Sequence, residues 1–266
     1  MRSETKRAKP KRGGEAVKSV TWGAAVIVFI LGGWEILSWT GAVNPMFSSS
    51  PSRIVLKGIT LFKEGDIYQH ISASGKLFLA GYILSAVVGV PLGIVMGWFK
   101  RVNWALAPIM AAFYTTPRIA LMPLFIIWLG LGFKSQLVLV FLSGVFNIAL
   151  NMQTAMYSLD KDLNRTAIAY GANQWQLFFT VALPESVPYL MTALRLASGR
   201  AFAGVVGAEV FGGAKGVGYL IQYSGATFQT DVVFVCVIIL AVFGVALDRI
   251  LFRINRHFDK WRSYDN

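Results

Sequence analysis

Six stretches of about 20 residues, nearly free of charge, constrain this chain most, because a helix of that length is what crosses a hydrocarbon layer roughly 30 Å thick. They run from Val20 to Trp39, Lys76 to Trp98, Trp104 to Leu131, Gln136 to Met156, Val187 to Phe211 and Val232 to Phe252. Inside a bilayer the backbone must satisfy its own N–H and C=O groups, and consecutive apolar runs do so as helices. The expected fold class is therefore an all-α membrane protein with six transmembrane helices. With 55% of its residues apolar and only 14% charged, a 266-residue chain has more apolar surface than a soluble core hides. The first run is too long for a signal-peptide core and no small-residue cleavage site follows it, so it reads as an uncleaved helix.

A net charge of +12 would suggest nucleic acid in a soluble protein, but here it reads as topology, since Lys and Arg are retained on the cytoplasmic side. Six spans place sixteen of the 25 basic residues inside: seven in the amino-terminal tail, Lys100, Arg101, Lys161, Arg165, and five from Arg249 to Arg262. Arg53, Lys57, Lys63, Lys76, Lys134 and Lys215 fall outside, and Arg118, Arg195 and Arg200 lie within spans. Both termini are thus expected in the cytoplasm of a multi-pass cell (inner or plasma) membrane protein, with the lipid bilayer and no nucleic acid as partner. The chain divides into a basic, disordered tail over 1–19, a first span over 20–40, an external loop over 41–75, a core over 76–252 and a second basic tail over 253–266.

Within the spans, Gly89, Gly93 and Gly97 share one face at four-residue spacing, as do Ala193, Ala197, Ala201, Val205 and Ala208; such faces let helix backbones approach closely. Trp34 and Trp39 mark an interface, with Glu35 near enough to reach headgroups or water. The third run is interrupted by Thr115-Thr116-Pro117-Arg118 and by Pro123. Prolines and a cation at that depth imply a kink facing protein or a watery path. Arg118 reads as an anion-attracting path residue or as a cation paired with a carbonyl or acid or snorkelling inward. Arg195 and Arg200 suit lipid phosphate or the inner loop. Glu209 suits a gate, a pair with Lys215 or contact with water. Thr116, Pro117, Arg118, Met122 and Glu209 are the candidate path and gate residues.

One long inner loop, 158–186, is polar yet helix-patterned. Asp160 to Tyr170 reads as a helix stopped by Gly171, and Gln174 to Ala182 as a second, ended by Pro184. Leu163, Ala167 and Tyr170 share a face of the first; Trp175, Phe178, Phe179 and Val181 dominate the second. Exposed aromatics on a helix pair suit insertion into a partner's groove.

The spacing Ala167, Gly171, Val181, Leu183, Pro184 resembles the EAA loop of ABC importer permease subunits, in which a glycine is followed nine residues later by an aliphatic residue, one spacer and Leu-Pro. TPRIALMPLFIIWLGLG and AEVFGGAKGVGYLI are similar to the third span and the Gly-rich turn of the branch importing sulfonates, taurine and nitrate. Three separated pieces in family order, over Lys76 to Arg262, make the likeness specific. It implies a type I ABC importer permease fold whose loop docks on a cytoplasmic ATPase through Leu163, Arg165, Ala167, Tyr170 and Gly171. From the second helix come Trp175, Phe178, Val181, Leu183 and Pro184. It further implies a homodimer, an extracytoplasmic substrate-binding protein, alternating access, and a small hydrophilic, anionic solute. ATP and Mg would sit in the partner, with no cofactor or metal in this chain. Arg165 stands where the motif carries Glu, and Thr166 replaces its first Ala, so a salt bridge through that Glu is lost or reversed.

The chain is not expected to be an enzyme. A Walker A loop needs a Lys beside Ser or Thr, which Gly212-Gly213-Ala214-Lys215-Gly216 lacks. His70 and His257 fall on opposite sides, so no zinc or Ser-His-Asp site assembles. Cys236 alone forms no disulfide. The alternatives are an ion-gradient-driven secondary carrier or channel subunit, which inverted repeats and paired intramembrane acids would favour, and a scaffold anchoring an ATPase.

Overall fold

The computed structural model describes residues 12–42 and 44–258; of the expected basic tails, residues 1–11 and 259–266 lie outside it. The described chain is helical, with no strand: α1 (Arg12–Trp39), α2 (Pro45–Ser48), α3 (Pro51–Glu64), α4 (Asp66–Trp98), α5 (Lys100–Thr115), a 3₁₀ turn (Arg118–Leu121), α6 (Met122–Leu129) and α7 (Phe133–Tyr157). There follow α8 (Lys161–Ala169), α9 (Gln174–Gln176), a π-helical turn (Leu177–Ala182), α10 (Leu183–Gly212), α11 (Val217–Ala226) and α12 (Thr230–Phe258).

The bundle is centred on α4 and α7. Gly81 faces Val140, Gly89 faces Ile148, Gly93 faces Ala149 and Met152, and Gly97 faces Met156, each so closely that an added Cβ would collide. Between them Ser85 donates to the carbonyl of Phe141 at 2.9 Å. Every fourth residue of α4 from 81 to 97 thus meets every fourth residue of α7 from 140 to 156, the close backbone approach that small residues permit. Residue numbers rise together along this seam, so the two helices are parallel.

Parallel neighbours force the chain between them to travel the full length of the bundle. Asn103 hydrogen-bonds Gln153 at one end, Phe113 stacks on Phe146 midway with centroids 5.5 Å apart, and Met122 abuts Gly212 at the other. The pair α5 and α6 is therefore one crossing, bent by 89° at the Pro117 break. With the five described helices long and apolar enough to cross alone, the bundle has six crossings.

α10 lies antiparallel on α7. Its small-residue face, Ala193, Ala197, Ala201, Val205 and Ala208, is fully buried, with Gly204 against Ser143. α12 runs antiparallel to α10, tied by a two-pronged bond from Arg195 to Asp248 (2.8 and 3.1 Å) and by Phe202 stacked on Phe243. Arg195 thus holds a neighbouring helix instead of lipid phosphate or the loop. α1 is peripheral: Glu35 accepts from the N–H and hydroxyl of Ser52 (3.0 and 2.7 Å), and Trp34 packs on Phe234. Trp22, the run from Val26 to Leu31, Ile36, Leu37 and Trp39 face outward as lipid-facing residues do.

Several boundaries differ from the sequence expectation. α1 begins at Arg12, inside the tail expected to be disordered over 1–19, and α12 continues to Phe258, past the expected end at Phe252. α4 begins at Asp66, ten residues before the apolar run, because Gly65 (φ 88°) ends α3 and reverses the chain. The added turns bury Ile67 and Ser74, although their polar composition reads as loop. The helix over Gln174–Gly212 is continuous, where a stop at Pro184 was expected.

Candidate functional site

The loop end of the bundle carries a helix pair with built-in punctuation. The Asp160 carboxylate accepts from the N–H groups of Asp162 (2.7 Å) and Leu163 (3.3 Å), capping α8. Gly171, at φ 86°, is left-handed, which closes α8 with Ala172 N–H donating to the Ala167 carbonyl at 3.0 Å. Asn173 and Gln176 exchange hydrogen bonds at 2.8 and 2.9 Å as a capping box that restarts the helix.

Pro184 does not stop this second helix because the chain enters it through the π turn. The N–H of Leu183 donates five residues back, to Phe178, and the next residue, which has no N–H, falls where the α ladder resumes. The unit is fastened to the bundle: Asp160 N–H donates to Glu185 at 2.8 Å, and Phe178 meets Trp98 edge-on at 5.0 Å. Leu159, Met156 and Ala182 are buried around that contact.

The ten docking candidates therefore separate. Leu163, Arg165, Tyr170, Trp175 and Pro184 are exposed, Ala167, Val181 and Leu183 are half-buried, and Gly171 forms the turn. Phe178 points into the bundle, as an anchor. Trp175 (70% exposed) instead stacks on Phe179 (57% exposed) at 6.1 Å, and Tyr170 is 89% exposed. Ile168, also exposed, extends this face and was not singled out from the sequence. Arg165 reaches Asp162 at 3.5 Å, both in solvent.

At the break in the third crossing, Thr116 and Thr115 turn their hydroxyls back to the carbonyls of Ala112 (2.8 Å) and Ala111 (3.1 Å). Pro117 follows, extended (φ −65°, ψ 98°). Arg118 donates to the carbonyl of Tyr114 at 3.0 Å, and its guanidinium lies 5.8 Å from the rings of both Tyr114 and Phe146, within reach of a cation–π attraction. Met122 is fully buried against Gly212. Met122 and Glu209 thus lie near the end opposite the loop, where a cleft opens between α4, the α6–α7 turn and the segment after α10, while Arg118 sits at the bend.

Glu209 is 1% exposed. Its carboxylate accepts from Ser74 Oγ (3.0 Å) and Gly218 N–H (2.8 Å), and Ser74 Oγ accepts in turn from Val217 N–H (2.9 Å). His70 Nδ1 completes the web 3.1 Å from the backbone of Gly216. One acid thereby joins α4, α10 and α11. It forms no ion pair with Lys215 among the described residues.

A six-crossing bundle that presents a capped aromatic helix pair at one end, and holds a buried polar web at the other, is the architecture of a membrane transport subunit. The model of the binding-protein-dependent transport system inner membrane component matches residues 89–260, and the chain belongs to that family, as a multi-pass permease subunit of an ABC importer. Membership implies an ATPase and a substrate-binding protein as partners. Relatives include a permease named for aliphatic sulfonates transport in Bacillus subtilis (strain 168), 31% identical and covering 99% of this chain and 98% of that one. The taurine transport system permease protein of Escherichia coli (strain K12) is 26% identical over 92% and 91%. The formylaminopyrimidine transport permease protein of Halalkalibacterium halodurans is 31% identical over 80% and 84%. The fold matches that of an inward-facing MetNI methionine ABC transporter structure with TM-score 0.65 at 19% identity, covering 72% of this chain and 95% of that one.

Proposed function

We propose that this permease imports a small acidic solute by alternating access, as one of two identical copies that share two cytoplasmic ATPases and receive solute from an external binding protein. ATP and Mg belong to the ATPases, so hydrolysis is theirs. The loop end is cytoplasmic, in keeping with the count of basic residues, and the cleft end faces the binding protein.

The observation that carries this reading is the continuous helix from Gln174 to Gly212. Its tip bears the exposed Trp175–Phe179 pair and its far end bears Glu209, so a displacement imposed on the tip by a closing ATPase pair moves the cleft end without a hinge at Pro184. At about 1.5 Å per residue the 39 residues reach roughly 58 Å, enough to cross the bilayer and protrude. Arg118 at the bend offers a cation to an anion in transit. The relatives named for sulfonates and taurine support an acidic solute.

Uptake into vesicles holding the permease with its ATPase tests this. Sulfonate uptake that needs ATP and the binding protein is expected; uptake driven by an ion gradient alone would overturn it.

A further inference from the structure

At the end opposite α8, a cleft of about 480 Å³ opens between α4, the turn joining α6 to α7, and the loop after α10. That volume suits a small solute. Gln69, Ser72 and Lys76 enter it from one face of α4, Gln136 from the first turn of α7 and Lys215 from the loop, with Glu209 in its lining.

The polar groups here are unequally satisfied. Gln136 is 7% exposed, yet among the described residues its side-chain amide has no hydrogen-bond partner, and what is uncovered of it opens into the cleft. The stem of Gln136 is packed while its amide stays accessible, so the amide is presented to the cleft as a ready donor and acceptor. Lys76 and Lys215 line the same cleft and belong to none of the described ion pairs. Glu209, the one acid in the lining, is already engaged by Ser74 and Gly218. Two free cations and one free amide therefore face a space whose single carboxylate is already hydrogen-bonded. Charge-assisted bonds from ammonium and amide donors to acid oxygens are the strong kind.

We propose that this cleft binds one small sulfonate or carboxylate ion, its acid group held between Lys76 and Lys215 and bonded by the Gln136 amide. The proposal rests on the acidic-solute reading above and names a site for that solute within a single copy of the chain.

The test uses the full permease–ATPase complex in lipid nanodiscs, with ethanesulfonate as probe and dimethyl sulfone as its neutral counterpart, read by saturation-transfer NMR. Saturable binding of ethanesulfonate alone is expected. Gln136→Leu, and Lys76→Ala with Lys215→Ala, should each weaken it at least tenfold; Lys134→Ala, on the same turn of α7 but outside the cleft lining, should leave it unchanged. Should Gln136→Leu fail to fold, the exposed lysine pair decides alone. Absent saturable binding, or binding indifferent to the lysine pair, overturns the site. Protection of Lys76 and Lys215 from an amine-reactive reagent by the binding protein, without protection by ethanesulfonate, also overturns it and gives the cleft to a partner's acidic side chain. The solute reading fails separately: vesicles that take up only neutral solutes while the cleft still binds ethanesulfonate would leave the site standing.

Discussion

The two ends of α10 are built on opposite principles. At the loop end, order is local: a capping aspartate, a left-handed glycine and a capping box hold the helix pair, while its aromatic face stands in solvent. At the cleft end, order is long-range. Glu209 and Ser74, 135 residues apart, bond to each other, and the glycines around them leave no room for a side chain. A surface proposed to meet and release the ATPase keeps its shape without partners, whereas an end that holds three helices together depends on every member. Long-range stabilising contacts are therefore concentrated at the cleft end, and locally ordered, exposed aromatic surface at the loop end.

Substitutions can break that contrast, and the largest effect is expected at Gly216. Its φ of 120° and the Glu209 carboxylate that an added Cβ would overlap make Gly216→Val cost above about 4 kcal/mol, so little folded permease should survive detergent extraction. Glu209→Ala strips the partner from Ser74 and from the Gly218 N–H, which should lower stability by about 2–4 kcal/mol in thermal unfolding. At the loop end, Phe178→Ala removes a half-buried anchor and should cost about 2 kcal/mol. Trp175→Ala with Phe179→Ala should change stability by less than about 0.5 kcal/mol, yet reduce co-purification of the ATPase at least tenfold. Arg165→Ala, which loses only a solvent-exposed pair, should leave stability unchanged and shift ATPase affinity a few-fold. A Trp175/Phe179 variant as unstable as the Glu209 variant would end the distinction between the two ends.

Much of this was legible in the residues. Apolar run length shows the crossings, and glycines four apart show a packing face. Which helix meets that face is not local information: nothing near Gly89 names Ile148. Gln136 reads as the polar start of a span, and its burial depends on a loop some 77 residues later. Phe178, read with Phe179 as part of the exposed face, departs for the same non-local reason. Residues three and four apart both neighbour Trp175 on a helix, and what separates them is Trp98, 80 residues earlier, which packs on Phe178 and leaves Phe179 to stack on Trp175. Pro184, read as a stop, is tolerated because the π turn over Leu177–Ala182 shifts the hydrogen-bond ladder just before it.

The parallel seam between α4 and α7 also bears on how the protein is made. Since the two helices point the same way, α7 cannot be threaded until the bent crossing between them has returned through the bilayer. During synthesis the glycine face of α4 must wait, against lipid or a helper, while about 60 further residues emerge, roughly 3–12 s at ribosomal speed. The centre of the finished bundle is thus among the later contacts to form, and an insertase that shelters small-residue helices would act on α4 first.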